Sequence, residues 1–360
     1  PPRSTLFPYT TLFRSLTVGF GDRGFIGPDT RLHYTIRFEN MTNAALPAFR
    51  VTVTDQLSPD LDWSTFALGD LHFNGVTVSV PPNLRSYFNR GVTVPADPNP
   101  VEIAAGIDPA TGRIDWRMES VDRVTGGLPD DPFAGFLPPN TNAPAGEGFV
   151  SFYIRPRPDA WEGLVLVNTA DIVFDYNESI LTPPVTNTVD TLPPSSAVHP
   201  LPEVSPREFT VRWSGSDGAG SGIASYDLFV SDHAGPWRPW LTGTTATEAL
   251  FRGEPGVIYH FYSVARDGVG HTELLSAVPD AGTLTELRIL DCEPRLAPEP
   301  GWWLRWESAT NKSYEVLVST NLTTGFRSLA ADLPATPPQN VYLDATESHP
   351  ARFYLIRSRP

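Results

Sequence analysis

Apolar side chains recur at every second position in run after run of this chain, and a glycine or proline interrupts nearly every such run. A period of two sends alternate side chains to opposite faces of an extended strand, whereas a helix would need apolar positions three and four apart. Leu32, Tyr34, Ile36 and Phe38 alternate with His33, Thr35 and Arg37, which describes a half-buried strand. Phe49, Val51 and Val53 repeat the pattern, as do the stretches Val76 to Val80, Ile114 to Met118, Phe149 to Ile154 and Ile172 to Phe174. No stretch sustains an amphipathic helix. With 38 prolines and 28 glycines scattered among these runs, the chain has the turns that many short strands require, and the expected class is all-β.

A length of 360 residues with 40% hydrophobic content suits two or three sandwiches, not one. Thr182-Pro183-Pro184 and Thr191-Leu192-Pro193-Pro194 bracket a boundary, because paired prolines hold a linker extended. Beyond it, two regions repeat one scheme. Arg212-Trp213, Tyr226-Asp-Leu-Phe-Val230 and Tyr259-His-Phe261-Tyr correspond in order to Arg305-Trp306, Tyr314-Glu-Val-Leu-Val318 and Arg352-Phe-Tyr-Leu-Ile356. Two modules of one architecture explain this most simply. The expected divisions are 16–190, 191–283 and 284–360. Between Pro81 and Gly148 the punctuation thickens, and long irregular loops on the first sandwich are expected there.

Residues 5–15, Thr-Leu-Phe-Pro-Tyr-Thr-Thr-Leu-Phe-Arg-Ser, read as an in-frame translation of a sequencing adapter, so 1–15 are set aside as non-native. The chain lacks an initiator methionine and is expected to be a fragment. The net charge of −15 argues against nucleic acid and anionic lipid as partners, and no apolar run reaches the 18 residues of a membrane helix. Cys292 is the single cysteine, so no intrachain disulfide forms, and its acidic neighbours Asp291 and Glu293 are expected to raise its thiol pKa.

Several segments carry a family likeness. Tyr34-Thr-Ile-Arg-Phe-Glu-Asn40, Thr54-Asp-Gln-Leu-Ser-Pro-Asp-Leu-Asp62, Gly106-Ile-Asp-Pro-Ala-Thr-Gly-Arg113, Gly135-Phe-Leu-Pro-Pro-Asn140, Gly146-Glu-Gly-Phe-Val150 and Ile172-Val-Phe-Asp-Tyr-Asn177 resemble an immunoglobulin-like domain of unknown function found in repeats of large bacterial surface proteins. Trp213-Ser-Gly-Ser-Asp217, Ser221-Gly-Ile-Ala-Ser-Tyr-Asp227 and Ala265-Arg-Asp-Gly-Val-Gly270 resemble a fibronectin type III domain, with His271 where such modules more often carry Asn. Lys312-Ser-Tyr-Glu-Val316 and Arg352-Phe-Tyr354 resemble short terminal modules of Planctomycetes-type and Verrucomicrobia-type surface proteins. The resemblance implies tandem immunoglobulin-like and fibronectin-like sandwiches, and no known chemistry.

The candidate chemistry is correspondingly sparse. Asp217 and Asp267 stand beside glycine-rich turns, where calcium takes clustered oxygen ligands, but Asp and Gly are also what turns require. The seven histidines are dispersed without a metal-binding spacing, and no Gly-x-Ser-x-Gly elbow is present. Asp60 with Asp62, and Asp130 with Asp131, read as solvated turn acids. His33 and His260 read as exposed strand positions. Trp237, Trp240 and Trp303 are the candidate ligand-stacking aromatics, whereas Trp213, Trp306, Tyr226 and Tyr314 read as core. The expected protein is a non-enzymatic spacer or adhesive segment, secreted or on a cell surface, with no cofactor besides possible calcium and an unidentified protein or glycan as partner. The alternative is an accessory region of a secreted hydrolase whose catalytic domain lies elsewhere.

Overall fold

The computed structural model describes residues 9–10, 19–95, 97–275, 278–296, 299–323, 325–346 and 351–359. Among them all regular structure is strand, and no helix is long and apolar enough to cross a membrane. Of the segment 1–15, Tyr9–Thr10 is described as two residues paired antiparallel with Asn40 and Glu39, and the remainder lies outside the described residues.

The chain divides into two compact units, Pro1–Leu192 with Ala219–Ser221 and Gly268–Gly270, and the rest. The first unit is a sandwich. One sheet orders Tyr9–Thr10, Leu32–Asn40, Glu147–Pro156, Leu61–Phe73 and Val76–Val78, and the other orders Ile180–Leu181, Ala170–Phe174, Arg50–Gln56, Arg113–Ser120, Asp97–Ile107 and Ser86–Val94. Alternation decides which faces meet. Tyr34, Ile36 and Phe38 from the first sheet, and Val51, Val53, Trp116, Met118 and Phe174 from the second, are all buried in one core. Phe152 is the bridge, with its ring centroid 5.0 Å from Tyr34 and 5.8 Å from Trp116. Gly148 is obligatory in this arrangement, since a Cβ there would stand 2.3 Å from the Phe38 ring. A third, small sheet joins Val165–Asn168, Val185–Val189 and Phe25–Ile26.

The stretch from Pro81 to Gly148 is less irregular than its punctuation suggests. Ser86–Val94 and Asp97–Ile107 form an antiparallel hairpin extending the second sheet. The outer strand is largely exposed, which is why its apolar period is faint. The following loop is fastened by asparagine side chains. Asn40 Nδ2 donates to the Leu137 carbonyl at 2.9 Å, Asn74 Nδ2 to the Phe136 carbonyl at 2.9 Å, and Asn140 Oδ1 accepts from the Gly146 amide at 3.1 Å. Phe136 and Leu137 are thereby buried at the core's end, Phe136 edge-on to Phe73.

The second unit contains two further cores, each closed by its own pair of sheets. In one, Ser195–Val198, Glu208–Ser216 and Glu248–Arg252 face the five-stranded sheet built on Ile258–Asp267 and Ile223–Asp232. Trp213, Val211, Leu228, Val230 and Phe261 fill it. In the other, two three-stranded sheets centred on Gly301–Glu307 and Ser313–Ser319 enclose Leu304, Trp306, Tyr314, Val316 and Ile356.

Candidate functional site

The three tryptophans singled out from sequence have different surroundings. Trp240 is half-buried and packs against the core, its ring 6.3 Å from Trp213, 5.2 Å from Phe251 and 5.7 Å from Phe261. Two register shifts between Arg238–Thr244 and Ile223–Asp232 lie beside it, and a one-residue slip of this kind turns a side chain toward the opposite face. Trp237 is 37% exposed and meets Tyr262 edge-on at 4.6 Å. Tyr262 is in turn stacked on Phe229 at 4.7 Å, its cross-strand partner. Trp303 is half-buried on Gly301–Glu307, with the Arg295 guanidinium 4.1 Å above its ring.

The two candidate calcium carboxylates hold turns. Asp217 Oδ2 accepts from the Gly222 amide at 2.7 Å, and Asp267 accepts from the His271 amide at 2.8 Å, with His271 Nδ1 3.0 Å from its second oxygen. A histidine in place of the more usual asparagine thus supplies a second contact to the same acid. His33, expected on an exposed face, is stacked on Tyr153 at 4.3 Å with its Nε2 buried, and burial lowers its pKa. The Cys292 thiol is raised, as its surroundings suggested, but by burial and not by its acidic neighbours.

Two features were not singled out from sequence. The first is buried. Asp55 on Arg50–Gln56 accepts from Asn168 Nδ2 at 2.7 Å, while its other oxygen, the Asn168 carbonyl oxygen and the Tyr34 hydroxyl have no partner among the described residues. Burial pushes the Asp55 carboxyl up to about 7, against the opposing hydrogen bond from Asn168. Asp55 and Asn168 are 113 residues apart, so no local spacing announces the pair.

The second lies on the surface of the first unit. Two concavities of about 400 and 310 Å³ share Pro59 and Arg157 as lining. Trp63, Asp62 and Ser64 line one, and Trp161, Asp60 and Asp159 line the other. Trp63 is fixed by its Nε1 donating to the Ser58 carbonyl at 2.9 Å, and its ring lies over Gly112, where a Cβ would stand 2.4 Å away. Trp161 is 60% exposed and sits between two turns, closed by the amide of Ala160 on Arg157 at 3.0 Å and that of Leu164 on Trp161 at 3.1 Å. Glu162 beside it accepts from the Thr191 amide at 2.7 Å. The run Arg157-Pro-Asp-Ala-Trp161 was the available sequence signal, a lone aromatic in a proline turn.

Among known families, one described as a domain of unknown function, DUF7619, matches residues 17–96 and 134–191. No curated protein matches the chain. Among solved structures the chain is similar to BcpA, the major pilin subunit of Bacillus cereus, at 11% identity over 77% of this chain and 69% of that one, with a TM-score of 0.30. It is similar also to the C-terminal domain of the Streptococcus pyogenes antigen I/II-family protein AspA, at 11% identity over 78% and 100%, with a TM-score of 0.33. The FN1–FN3 domains of chicken CNTN1 align at 9% identity over 93% and 94%, with a TM-score of 0.22.

Proposed function

We propose that the chain is a non-enzymatic structural and adhesive segment of an extracellular protein, with modules spanning 16–190, 191–283 and 284–360. The supporting observation is that three separate hydrophobic cores follow one another along the sequence, each closed between its own sheets. Serial cores of this kind unfold independently under load and need no assembled reactive centre. Stretching single molecules of the chain between two handles tests this. Three unfolding steps are expected, with lengths in proportion to the modules at roughly 3.5 Å per residue. A single cooperative step would overturn the reading.

A second reading, as a binding accessory to a hydrolase, is favoured by the outward aromatic cluster of Phe229, Trp237 and Tyr262. Trp237 is its exposed member, with Tyr262 buried beneath it, and an exposed aromatic on a packed base can anchor protein or glycan partners.

A further inference from the structure

The surface around Arg157 combines three properties that ordinary turns do not need together. It is concave, with volumes inside the roughly 300–1,000 Å³ typical of small-molecule sites. Each concavity has a tryptophan in its lining: the Trp63 indole is fixed by its bond to the Ser58 carbonyl, and the backbone that carries Trp161 is fixed by the Ala160 and Leu164 amides, so the loops are set before any ligand binds. Its polar groups are mixed in kind. Arg157 Nε donates to Asp159 Oδ1 at 2.9 Å, and its second terminal nitrogen donates to Asp159 Oδ2 at 3.3 Å, leaving Nη1 without a partner among the described residues. Asp62 Oδ1 accepts from the Ser64 amide and hydroxyl, and Asp60 Oδ2 accepts from the Ser58 hydroxyl, leaving one oxygen on each acid without a partner among the described residues.

Free acceptors beside a free donor suit a group that both gives and takes hydrogen bonds. A cationic ligand would use only the acceptors, and an anionic one only the donor. A hydroxyl uses both. Three carboxylates against one guanidinium leave the lining negative, on a chain of net charge −15, which disfavours uronic, sulfated or phosphorylated ligands. Indole faces take the apolar face of a pyranose ring, and two adjoining concavities sharing one wall match a repeating polymer better than a single small molecule.

We propose that the paired concavities bearing Trp63 and Trp161 form a binding site for a neutral oligosaccharide, with successive sugar rings against the two indoles and their hydroxyls shared among Asp60, Asp62 and Arg157. The site is separate from the Trp237 cluster and does not depend on the mechanical reading. Electrophoresis of the full chain through gels containing a soluble neutral polysaccharide (hydroxyethyl cellulose, xylan or glucomannan), with alginate as the acidic counterpart, tests it. Retardation in at least one neutral gel is expected. Trp161→Ala, which removes an exposed ring and touches no core, is expected to weaken it at least tenfold, while Trp237→Ala leaves it unchanged. The proposal is overturned by retardation in none of the neutral gels, by retardation that Trp161→Ala does not alter, or by retardation confined to alginate. An arginine-rich peptide bound through Trp161 in place of any glycan would overturn it equally. The unfolding steps under force are indifferent to this site, so the two readings fail separately.

Discussion

The first sandwich and the last are built by one rule at two scales. Thirty-four buried residues make the core of the first, while five make that of the last. Burial of apolar surface grows faster than chain length, so the smaller sandwich stands nearer its unfolding threshold. The difference appears in how each treats a buried acid. The large core holds Asp55 with one hydrogen bond and an unpartnered oxygen. The small sandwich surrounds Asp344 with donors from Thr346, Tyr354 and Arg352 on both oxygens. The contrast is between these two acids, since the small sandwich also leaves Trp306 Nε1 and Glu307 Oε2 without a partner among the described residues.

Removing a central tryptophan from each is the strongest way to break this comparison. Trp306→Ala and Trp116→Ala each take a fully buried indole, for about 3–5 kcal/mol in either core. The same loss is expected to unfold the last sandwich and to leave the first folded. Limited proteolysis checks it: Trp306→Ala should yield cleavage confined to residues beyond about Glu286, and Trp116→Ala should leave residues 19–192 protected. Equal sensitivity of the two would show that core size does not set the margin.

The two acids are expected to give opposite pH signatures. Burial alone would raise Asp344, but the Thr346, Tyr354 and Arg352 donors hold it below its ordinary 3.8. The unfolded chain then binds the extra proton, so Asp344 contributes stability above about pH 4 that is lost as pH falls through the folded value. Asp55 runs the other way. Its folded value of about 7 lies above 3.8, the native state holds the extra proton between the two, and stability falls as pH rises through that window and levels off above it. Asp55→Asn should remove that slope and stabilise the first sandwich at pH 8 by a few kcal/mol, at about 1.4 kcal/mol per unit of pKa difference. Asp344→Asn should destabilise the last sandwich by about 3 kcal/mol, because Arg352 stays buried without its charge partner. Segment-resolved hydrogen exchange across pH reads both, and slopes of one sign would refute the assignment.

Whatever depends on alternation along one strand was legible in the sequence. Trp213, Tyr226, Trp306 and Tyr314 are buried as their strand positions imply. Whatever depends on an encounter between distant strands, or on a break in phase, was not. The packing of Trp240 against the core is an example, because register shifts carry no mark in composition. Phe136 and Leu137 stand in a proline-rich loop, and the distant Asn40 and Asn74 side chains and the Ala48 backbone hold them in place. Trp161 went unnoticed because an isolated aromatic in a turn looks like any surface residue until Asp60, Arg157 and Asp159 are found lining the same concavity.

The smallest expected effect uses a matched pair of glycines. At Gly112 the backbone has φ +71°, a region that costs an alanine roughly 1–2 kcal/mol, and the added Cβ would press on the Trp63 ring. At Gly301 the Cβ would stand 2.5 Å from the Asp344 carbonyl on the neighbouring strand. Gly112→Ala is expected to lower the melting of the first sandwich by a few degrees, at about 2–4 °C per kcal/mol for a domain of that size, and leave it folded. Its sharper consequence is local: displacing Trp63 should weaken retardation by the neutral polysaccharide without exposing the core. Gly301→Ala must push neighbouring backbones apart in the sandwich with little margin, and should shift its melting by more despite an unstrained φ. If Gly301→Ala were the milder of the two by calorimetry, the small sandwich would have slack that its five-residue core does not suggest.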